Sequence, residues 1–545
     1  MKTQVSRLGV AVSLAILASH AYAQCVPFGW STVTNSPFLA SAASAVEWDP
    51  DGAGVRTPVL AIGGDFNENI LCWDPSTGNF TSDVSLINDP NQPVNPGGFV
   101  EAVAVYHGDL YAAGRFSVAF SPGGQFLNNI ARWSGTAWVP LGSAAPGVDG
   151  DVFALTVWND QLIVCGSFTH AGGAYSPAVA AWNGQNWIPL GSTFDDSNQP
   201  IALSAVSYES DLVIAGLLDV TGSIGTPSGT AGRWNGSAWT QMGTSQDVGG
   251  HIAVWDGTLY SAGGRTFSRF VDGSWVDIFP PSLPTSGLIT VYRGSLILAG
   301  GFEGAAVDDP TRNEPLLRAV GAVQWDGRGF RLMDTDPNVF YENGPQSCIF
   351  ASSNGYLYAF GTSDSPEVHG FRGWGKWTFG EKPWIARQPV EAVELDPSQT
   401  LTLTAKIATG AVGVSYQWYR DNVALTNGQG AGGVVAGAAG SMPSPSIDQP
   451  ITLTVSGVKQ SDAGSYTVRF SNTCNGTPTV VDSLGATVTV TCRADFNNDG
   501  FIVFEDFDGF VSAYELGLSS ADFNGDGFID FIDFDAFVAA FEYGC

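Results

Sequence analysis

The feature that most constrains this fold is a repeat of about 50 residues that runs from Gln24 to Gly380. In each copy, a strand-like run ends in an apolar residue followed by glycine. The marker glycines are Gly64, Gly114, Gly166, Gly216, Gly263, Gly300 and Gly361, and the six steps between them give (361 − 64)/6, or about 50. Repeats of this period indicate a propeller or a solenoid, because a single copy cannot bury its apolar face alone.

Each copy contains several strand-like runs separated by residue–glycine pairs, which are typical of two-residue hairpin turns. In the second copy the runs are Val100–Tyr106, Asp109–Phe116, Asn129–Trp133 and Thr136–Leu141. Seven copies of four strands predict a seven-bladed β-propeller over residues 24–380. The run Gly29–Val33 precedes the first copy, and we expect it to be the fourth strand of the last blade. The repeats resemble those of kelch-like propellers.

The composition changes over residues 381–491, where strand-like runs continue without the 50-residue period. Asp462-Ala463-Gly464-Ser465-Tyr466 matches a tyrosine corner, and Trp418 occupies the place of a core tryptophan. This stretch resembles a bacterial immunoglobulin-like domain, which implies a β-sandwich. We expect the glycine-rich run Asn427–Gly440 to be a flexible loop within it.

Residues 492–545 contain two near-copies of a twelve-residue loop rich in oxygen donors. The side-chain donors are Asp495, Asn497, Asp499 and Asp506 in the first loop, and Asp522, Asn524, Asp526, Asp530 and Asp533 in the second. Phe501 and Phe528 each add a backbone carbonyl at loop position 7. Calcium takes six to eight oxygen ligands, and this spacing supplies them around one tight turn. The sequence therefore predicts two calcium ions.

An apolar helical pattern follows each loop, at the same spacing of 27 residues. Phe504, Phe507, Phe510, Val511 and Tyr514 recur as Phe531, Phe534, Phe537, Val538 and Phe541, in steps of three and four that predict one buried helical face. No helix is predicted before either loop. The pair resembles a type I dockerin, so we expect a small all-α domain that binds a cohesin-type protein. The resemblance implies contact through loop positions 10 and 11, which are Phe504, Glu505, Phe531 and Ile532. A purely structural role for calcium stays open.

The chain has seven cysteines, so at least one lacks a partner within the chain. We expect Cys492 to pair with Cys545, because two-fold packing of the loop–helix units brings the two ends of the dockerin together. Cys474 and Cys492 are expected at opposite ends of paired strands, about 25 Å apart, which is too far for a disulfide.

The N-terminus predicts secretion. Lys2 and Arg7 precede the apolar run Leu8–Leu17 and the site Ala21-Tyr22-Ala23, so residues 1–23 match a signal peptide. The mature protein is therefore expected outside the cell or attached to its surface, without a membrane span. The net charge of −30 argues against nucleic acid as a partner.

No catalytic motif is evident in the sequence, and we predict no catalytic residues. The connections between the second and third strands of the repeats are long, and they are expected on one face of the propeller. Phe120, Phe126 and Tyr175 lie in these connections, where they contact a ligand or cover their own loops. The favoured function is a non-catalytic propeller that binds a glycan or a protein. A polysaccharide hydrolase or lyase, and a structural cell-surface protein, are the alternatives.

Overall fold

The computed structural model of the chain describes residues 29–32, 42–52, 54–64, 69–81, 98–116, 126–143, 145–191, 194, 199–218, 229–243, 248–263, 266–278, 288–302, 319–333, 348–353, 356–361, 374–378, 383–429, 432–474, 477–497 and 501–543. Over these residues the protein is mainly β. The predicted signal peptide lies outside them. No helix among the described residues is both long and apolar enough to cross a membrane.

Residues 29–378 form seven antiparallel four-stranded sheets, named first to seventh in chain order. Their strands, in order of pairing, are Ala42–Trp48, Val59–Gly64, Ile70–Asp74 and Asn79–Thr81; Phe99–Tyr106, Asp109–Arg115, Ile130–Trp133 and Trp138–Pro140; Val152–Trp158, Gln161–Gly166, Val179–Trp182 and Trp187–Pro189; Ile201–Tyr208, Asp211–Leu217, Gly229–Trp234 and Trp239–Met242; His251–Trp255, Thr258–Gly263, Thr266–Val271 and Ser274–Asp277; Leu288–Tyr292, Ser295–Phe302, Ala319–Trp325 and Phe330–Leu332; and Cys348–Ser353, Tyr356–Gly361, Trp374–Thr378 and Gly29–Thr32.

The sheets follow one another in a cyclic series. The first strand of each sheet lies beside the first strand of the next, and the first strand of the seventh lies beside that of the first. The strand Gly29–Thr32 pairs with Trp374–Thr378, with Trp30 opposite Trp377. The prediction that this N-terminal strand completes the last repeat is therefore confirmed.

Side-chain hydrogen bonds tie neighbouring sheets together at equivalent places. Near the end of the outer strand, an indole N–H donates to a carbonyl of the preceding sheet. The pairs are Trp187 to Leu141 (3.0 Å), Trp239 to Leu190 (2.8 Å), Trp275 to Met242 (3.0 Å) and, from a third strand, Trp377 to Met333 (2.9 Å). These bonds satisfy a polar N–H inside a largely apolar contact, so they fix how each sheet sits on its neighbour.

A second set of bonds joins the ends of the first strands to the next sheet. Trp48 donates to Gly108, Tyr106 to Asp160, Trp158 to Ser210 and Trp255 to Gly294, over 2.7–3.0 Å. At the boundary between the seventh and first sheets, the rings of Trp73 and Tyr358 pack edge to face with centroids 5.2 Å apart.

Two further sheets pack on one shared core over residues 385–490. The first contains Ile385–Arg387, Thr400–Ile407, Ile451–Ser456, Val434–Ala436 and Gly428–Gln429, and the second contains Ala392–Leu395, Ala486–Val490, Gly464–Cys474, Ser415–Arg420, Val423–Ala424, Ala439–Ser441 and Thr477–Asp482. Trp418 is fully buried, and the hydroxyl of Tyr466 donates to the carbonyl of Asp462 at 2.6 Å. The predicted tyrosine corner is therefore confirmed.

The prediction of a flexible loop over Asn427–Gly440 is wrong. Half of this run is strand, and Val434–Ala436 pairs with Ile451–Ser456. The buried Asp462 carboxylate accepts the amide of Gly433 at 2.8 Å, where a Cβ would lie 2.5 Å from the carbonyl oxygen of Ser456. The glycine permits a close approach between strands here, rather than freedom of movement.

The C-terminal region contains the α-helices Phe504–Glu515 and Phe531–Tyr543, which pack on one another. The 3₁₀ turn Ser519–Ala521 lies between these helices, and a second 3₁₀ turn, Gln460–Asp462, lies in the preceding two-sheet region. Phe510 and Phe537 are fully buried and stack with centroids 3.9 Å apart and planes 5° from parallel. The predicted packing of two equivalent helices is confirmed.

The bonds between sheets can be tested at Trp239. Replacing Trp239 with Phe removes the donor and leaves the carbonyl of Leu190 without its partner, which we expect to destabilise the protein by about 1–2 kcal/mol. The matched control is Trp234→Phe, because Trp234 lies opposite Trp239 in the same sheet and its indole makes no hydrogen bond within the described residues. Urea unfolding measures both variants, and equal losses of stability would contradict the proposed role of the bond.

Candidate functional site

The second acidic loop is organised by hydrogen bonds from its own backbone. The Asp522 carboxylate accepts the amides of Gly525 and Gly527 at 2.8 and 2.9 Å, and Asn524 and Asp526 each accept the amide two residues further on. Gly525 and Gly527 have φ values of +78° and +85°, which a side chain would disfavour. The oxygen-bearing side chains therefore line a tight, continuous turn.

Loop position 12 closes both loops in the same way. Asp533 accepts the amides of Asn524 and Asp530 at 3.0 and 2.9 Å. In the first loop, 27 residues earlier, Asp506 accepts the equivalent amides of Asn497 and Val503, both at 3.0 Å. Asp499 and Gly500 lie outside the described residues. The two copies predicted from the sequence thus share one local geometry where both are described.

The position-12 carboxylates are held ionised by these contacts. The amides of Asn524 and Asp530 lower the pKa of Asp533 below its ordinary value. Burial acts to raise the pKa of Asp506, but the amides of Asn497 and Val503 outweigh it and the pKa is lowered. Both side chains are fully buried. Each is therefore a negatively charged oxygen donor at neutral pH.

The second loop contains oxygen donors of the type and number that calcium takes, but the structure does not gather them around one point. Among the described residues, no three His, Cys, Asp or Glu side chains are gathered in an arrangement that holds a metal. The loop offers only oxygen donors, which a hard cation prefers: Asp522, Asn524, Asp526, Asp530, Asp533 and the carbonyl of Phe528. Each carboxylate oxygen that accepts one amide keeps a second lone pair for an ion.

The predicted partner-contact residues lie on the surface beside the two loops. Phe504 and Phe531 are each 72% exposed, Ile532 is 62% exposed, and Glu505 is also exposed. The prediction that Phe504 and Phe531 join the buried helical face is therefore wrong. They are the first residues of their helices and precede the turn that packs on the other helix. Each stacks on a phenylalanine of its own helix, Phe504 on Phe507 and Phe531 on Phe534.

The predicted ligand residues of the seven-sheet region lie at the edge where second strands join third strands, which we name the loop edge. Phe120 lies outside the described residues, whereas Phe126 and Tyr175 are 52% and 38% exposed. Tyr175 belongs to a hairpin of His170–Ala171 and Ala174–Tyr175, in a connection that the sequence predicts to be a loop. The sequence does not predict the contact between His170 and Asp149, because the two residues are far apart along the chain.

The opposite edge, where first strands join second strands, is the turn edge, and residues 383–491 contact it. Gln388 donates its backbone amide to the carbonyl of Asp326 at 2.8 Å and its side-chain amide to the buried Asp326 carboxylate at 3.1 Å. Arg328 donates to the carbonyl of Gly485 at 2.7 Å. Gln324 donates to the carbonyl of Ile385 at 3.0 Å. This polar junction involves the fifth and sixth sheets and leaves the loop edge on the other side. The sequence predicts only a turn at Asp326.

Cys492 forms a disulfide, and its partner lies outside the described side chains. Strand register excludes Cys474. Gly464 pairs with Val488, so Cys474 and Cys492 are separated along the strands by (474 − 464) + (492 − 488) residues, or roughly 45 Å at ~3.3 Å per residue. A disulfide needs α-carbons within about 7 Å. Cys545 lies outside the described residues, so its pairing with Cys492 stays a prediction.

No protein-family model matches this chain, and no curated protein matches it. Many solved structures, among them the following two, are similar to part of it. The crystal structure of I81 from titin is 15% identical, over 20% of this chain and 97% of that one, with a TM-score of 0.14. Titin kinase and its flanking domains is 16% identical, over 22% of this chain and 19% of that one, with a TM-score of 0.16. At these TM-scores the likeness carries no argument about fold or function.

The partner of Cys492 can be found by peptide mapping under non-reducing conditions. We expect a peptide that links Cys492 to Cys545, because this bond closes a chain segment of about 50 residues and stabilises the small C-terminal region by roughly 4 kcal/mol. The same digest after reduction is the control. A peptide that links Cys492 to Cys25 or Cys348 would contradict the prediction.

Proposed function

We propose that this chain is a secreted protein that is held outside the cell by calcium-dependent binding of residues 492–545 to a cohesin-type partner. The seven-sheet region would then be a seven-bladed β-propeller that binds a glycan or a protein. The region over residues 381–491 would be an immunoglobulin-like spacer between the two.

The observation that carries this proposal is the repeated closure of the two acidic loops. Asp506 and Asp533 accept equivalent amides at nearly equal distances. Each of these aspartates lies in the first turn of the helix that follows its loop. Two similar loop–helix units packed about Phe510 and Phe537 support a dockerin. The buried apolar core of this small domain consists of only Phe510, Ala513, Ala521 and Phe537 among the described residues. Bound calcium would therefore supply much of its folding free energy.

The exposed side chains at loop positions 10 and 11 support a docking role in addition to a structural one. Phe504, Phe531 and Ile532 keep most of their apolar surface in water. Exposed apolar side chains that are grouped on one small domain commonly mark a binding surface.

The cyclic series of seven sheets supports a propeller. The position of the junction with residues 383–491 supports ligand binding at the loop edge. Because that junction occupies the turn edge, a ligand at the loop edge would not compete with it. Binding residues are commonly found in loops held by a rigid scaffold.

The calcium assignment predicts a loss of metal binding when charged loop ligands are removed. Asp499→Ala and Asp526→Ala should each weaken calcium binding, and the double variant should leave residues 492–545 unfolded in calcium, because folding is linked to the metal. Titration calorimetry measures calcium uptake, and circular dichroism measures the helices.

The matched control is the double variant Asp508→Ala and Asp535→Ala. Both residues are exposed on the helices, 27 positions apart, and the change in net charge is the same. This control should bind two calcium ions. Unchanged uptake by the Asp499/Asp526 double variant would show that the loops are not calcium sites.

The two halves of the proposed dockerin should not be equivalent in docking. A two-fold repeat would allow the partner to bind in two orientations, but Glu505 occupies the place of Ile532. A pocket that desolvates Ile532 would have to desolvate a carboxylate in the other orientation, which is costly. We therefore expect Ile532→Glu to weaken cohesin binding more than Glu505→Ala.

Surface plasmon resonance with an immobilised cohesin-type module measures this difference in affinity. Leu516→Glu is the control, because Leu516 is 74% exposed just beyond the first helix and should tolerate the charge. Equal losses from Ile532→Glu and Glu505→Ala would count against a single preferred orientation.

A further inference from the structure

The hairpin His170–Tyr175 at the loop edge of the third sheet has a fixed backbone. Gly172 and Gly173 form its two-residue turn, with φ values of +58° and +80°. A Cβ at Gly172 would lie 2.5 Å from Cδ1 of Trp187, so the turn rests directly on that ring. The Trp187 indole is itself bonded to the carbonyl of Leu141. The hairpin therefore packs on a tryptophan ring that is itself hydrogen-bonded between the second and third sheets.

The Asp149 carboxylate anchors the start of this hairpin. One of its oxygens accepts the amides of Thr169 and His170, both at 2.7 Å. The other lies 2.7 Å from the Thr169 hydroxyl and 2.8 Å from Nδ1 of His170. Burial acts to raise the pKa of Asp149, but the hydrogen bonds from His170 and Thr169 outweigh it and lower the pKa. The carboxylate is thus ionised, and both of its oxygens accept hydrogen bonds from Thr169 and His170.

These contacts fix the hydrogen-bonding character of His170. Because the Asp149 carboxylate is an acceptor, Nδ1 of His170 carries the hydrogen, and Nε2 of the neutral ring is an acceptor. Nε2 has no hydrogen-bond partner among the described residues, and the side chain is 47% exposed. The ring of Tyr175 lies edge to face with His170, with centroids 5.7 Å apart. An exposed aromatic ring therefore stands beside an exposed acceptor.

Backbone contacts connect the segment after Phe126 to the hairpin. The carbonyl of Asn128 accepts the amide of Val148 at 3.0 Å, and Val148 is bridged to Ala171 of the hairpin. Asn128, two residues after the exposed Phe126, is therefore two strand spacings, or about 10 Å, from the hairpin backbone. We name His170 and Tyr175, together with Phe126 at the start of this neighbouring segment, the hairpin site.

We propose that the hairpin site binds a neutral oligosaccharide. This proposal rests on the proposed function, because it specifies the ligand class at the loop edge. A pyranose ring presents C–H groups that pack on an aromatic face, and its hydroxyls donate to an acceptor such as Nε2 of His170. A fixed hairpin suits a small, polar ligand, because little freedom is lost on binding.

The charges around the site favour a neutral sugar over an anionic one. Arg115 is the nearby cation that the structure shows, and it is bonded to Glu101 at 2.6 Å and lies 3.8 Å from Asp151. The whole chain carries a net charge of −30, so it repels an anionic polymer. A protein ligand is less favoured, since stable protein interfaces bury roughly 800 Å² per partner around an apolar centre.

The test uses the full chain and a set of defined glycans. Cellohexaose, xylohexaose and mannohexaose are titrated by calorimetry, with a hexamer of galacturonic acid as the anionic comparison. We expect one or more neutral hexamers to bind and the anionic one not to bind. Tyr175→Ala should weaken the binding about tenfold or more, whereas Tyr175→Phe, which keeps the ring, should remain within about threefold of the parent.

His170→Ala should also weaken binding, and His170→Gln, which restores an acceptor, should recover part of the loss. Val276→Ala is the control, because Val276 is a similarly exposed apolar residue in the outer strand of the fifth sheet. Thermal unfolding shows whether each variant is folded. If Tyr175→Ala is not, Phe126→Ala and the two His170 variants decide the question.

Three results would overturn the proposal. If a neutral hexamer binds the parent and all hairpin-site variants equally, the propeller binds sugar elsewhere and the proposed function survives. If only the anionic hexamer binds, the ligand class is wrong. If no glycan binds while calcium-dependent docking is intact, the hairpin-site proposal is wrong and only the anchoring part of the proposed function survives.

Discussion

The rest of the structure depends on the hydrogen bonds that tryptophan side chains make between neighbouring sheets. Each indole is large enough to fill the space between two sheets, and an acceptor for its N–H lowers the free-energy cost of burying it. Trp187, Trp239, Trp275 and Trp377 all find a carbonyl near the outer end of the preceding sheet. An apolar contact alone would let the sheets slide, whereas a directional bond fixes their relative position.

The fixed stacking of sheets gives the region two chemically different edges. At the turn edge, buried polar side chains such as Gln324 and Asp326 bond to residues 385–388. At the loop edge, the connections are longer and present exposed aromatic side chains. Trp187 links this architecture to the hairpin site, because the same ring that joins two sheets also supports Gly172. A binding surface would thus be held by the interaction that builds the scaffold.

Sequence periodicity predicted much of this arrangement, because it reports contacts that are repeated many times. The 50-residue period predicted the four-stranded sheets, and the 27-residue period predicted the two loop–helix units. The tyrosine corner was predictable because Tyr466 bonds to a residue only four positions away. The sequence did not predict contacts that belong to neither a repeat nor a local motif. Examples are the contact between His170 and Asp149 and the contact between Gln388 and Asp326.

The wrong predictions have local physical causes. The run Asn427–Gly440 contains many glycines, which are typical of loops, but Gly433 and Gly437 each admit a neighbouring backbone and allow strands to pair. Phe504 and Phe531 match the helical period, yet each begins its helix, where the first turn extends beyond the contact between helices. Periodicity gives the direction of a side chain but not the length of the partner that could cover it.

The most direct test of the account asks whether anchoring and ligand binding occur together on one molecule. The full chain is captured on an immobilised cohesin-type module in calcium and then exposed to a neutral oligosaccharide that binds it in solution. We expect the captured chain to bind the oligosaccharide as well as the free chain does, and a calcium chelator to release both. Capture that persists after chelation, or loss of oligosaccharide binding on capture, would contradict this expectation.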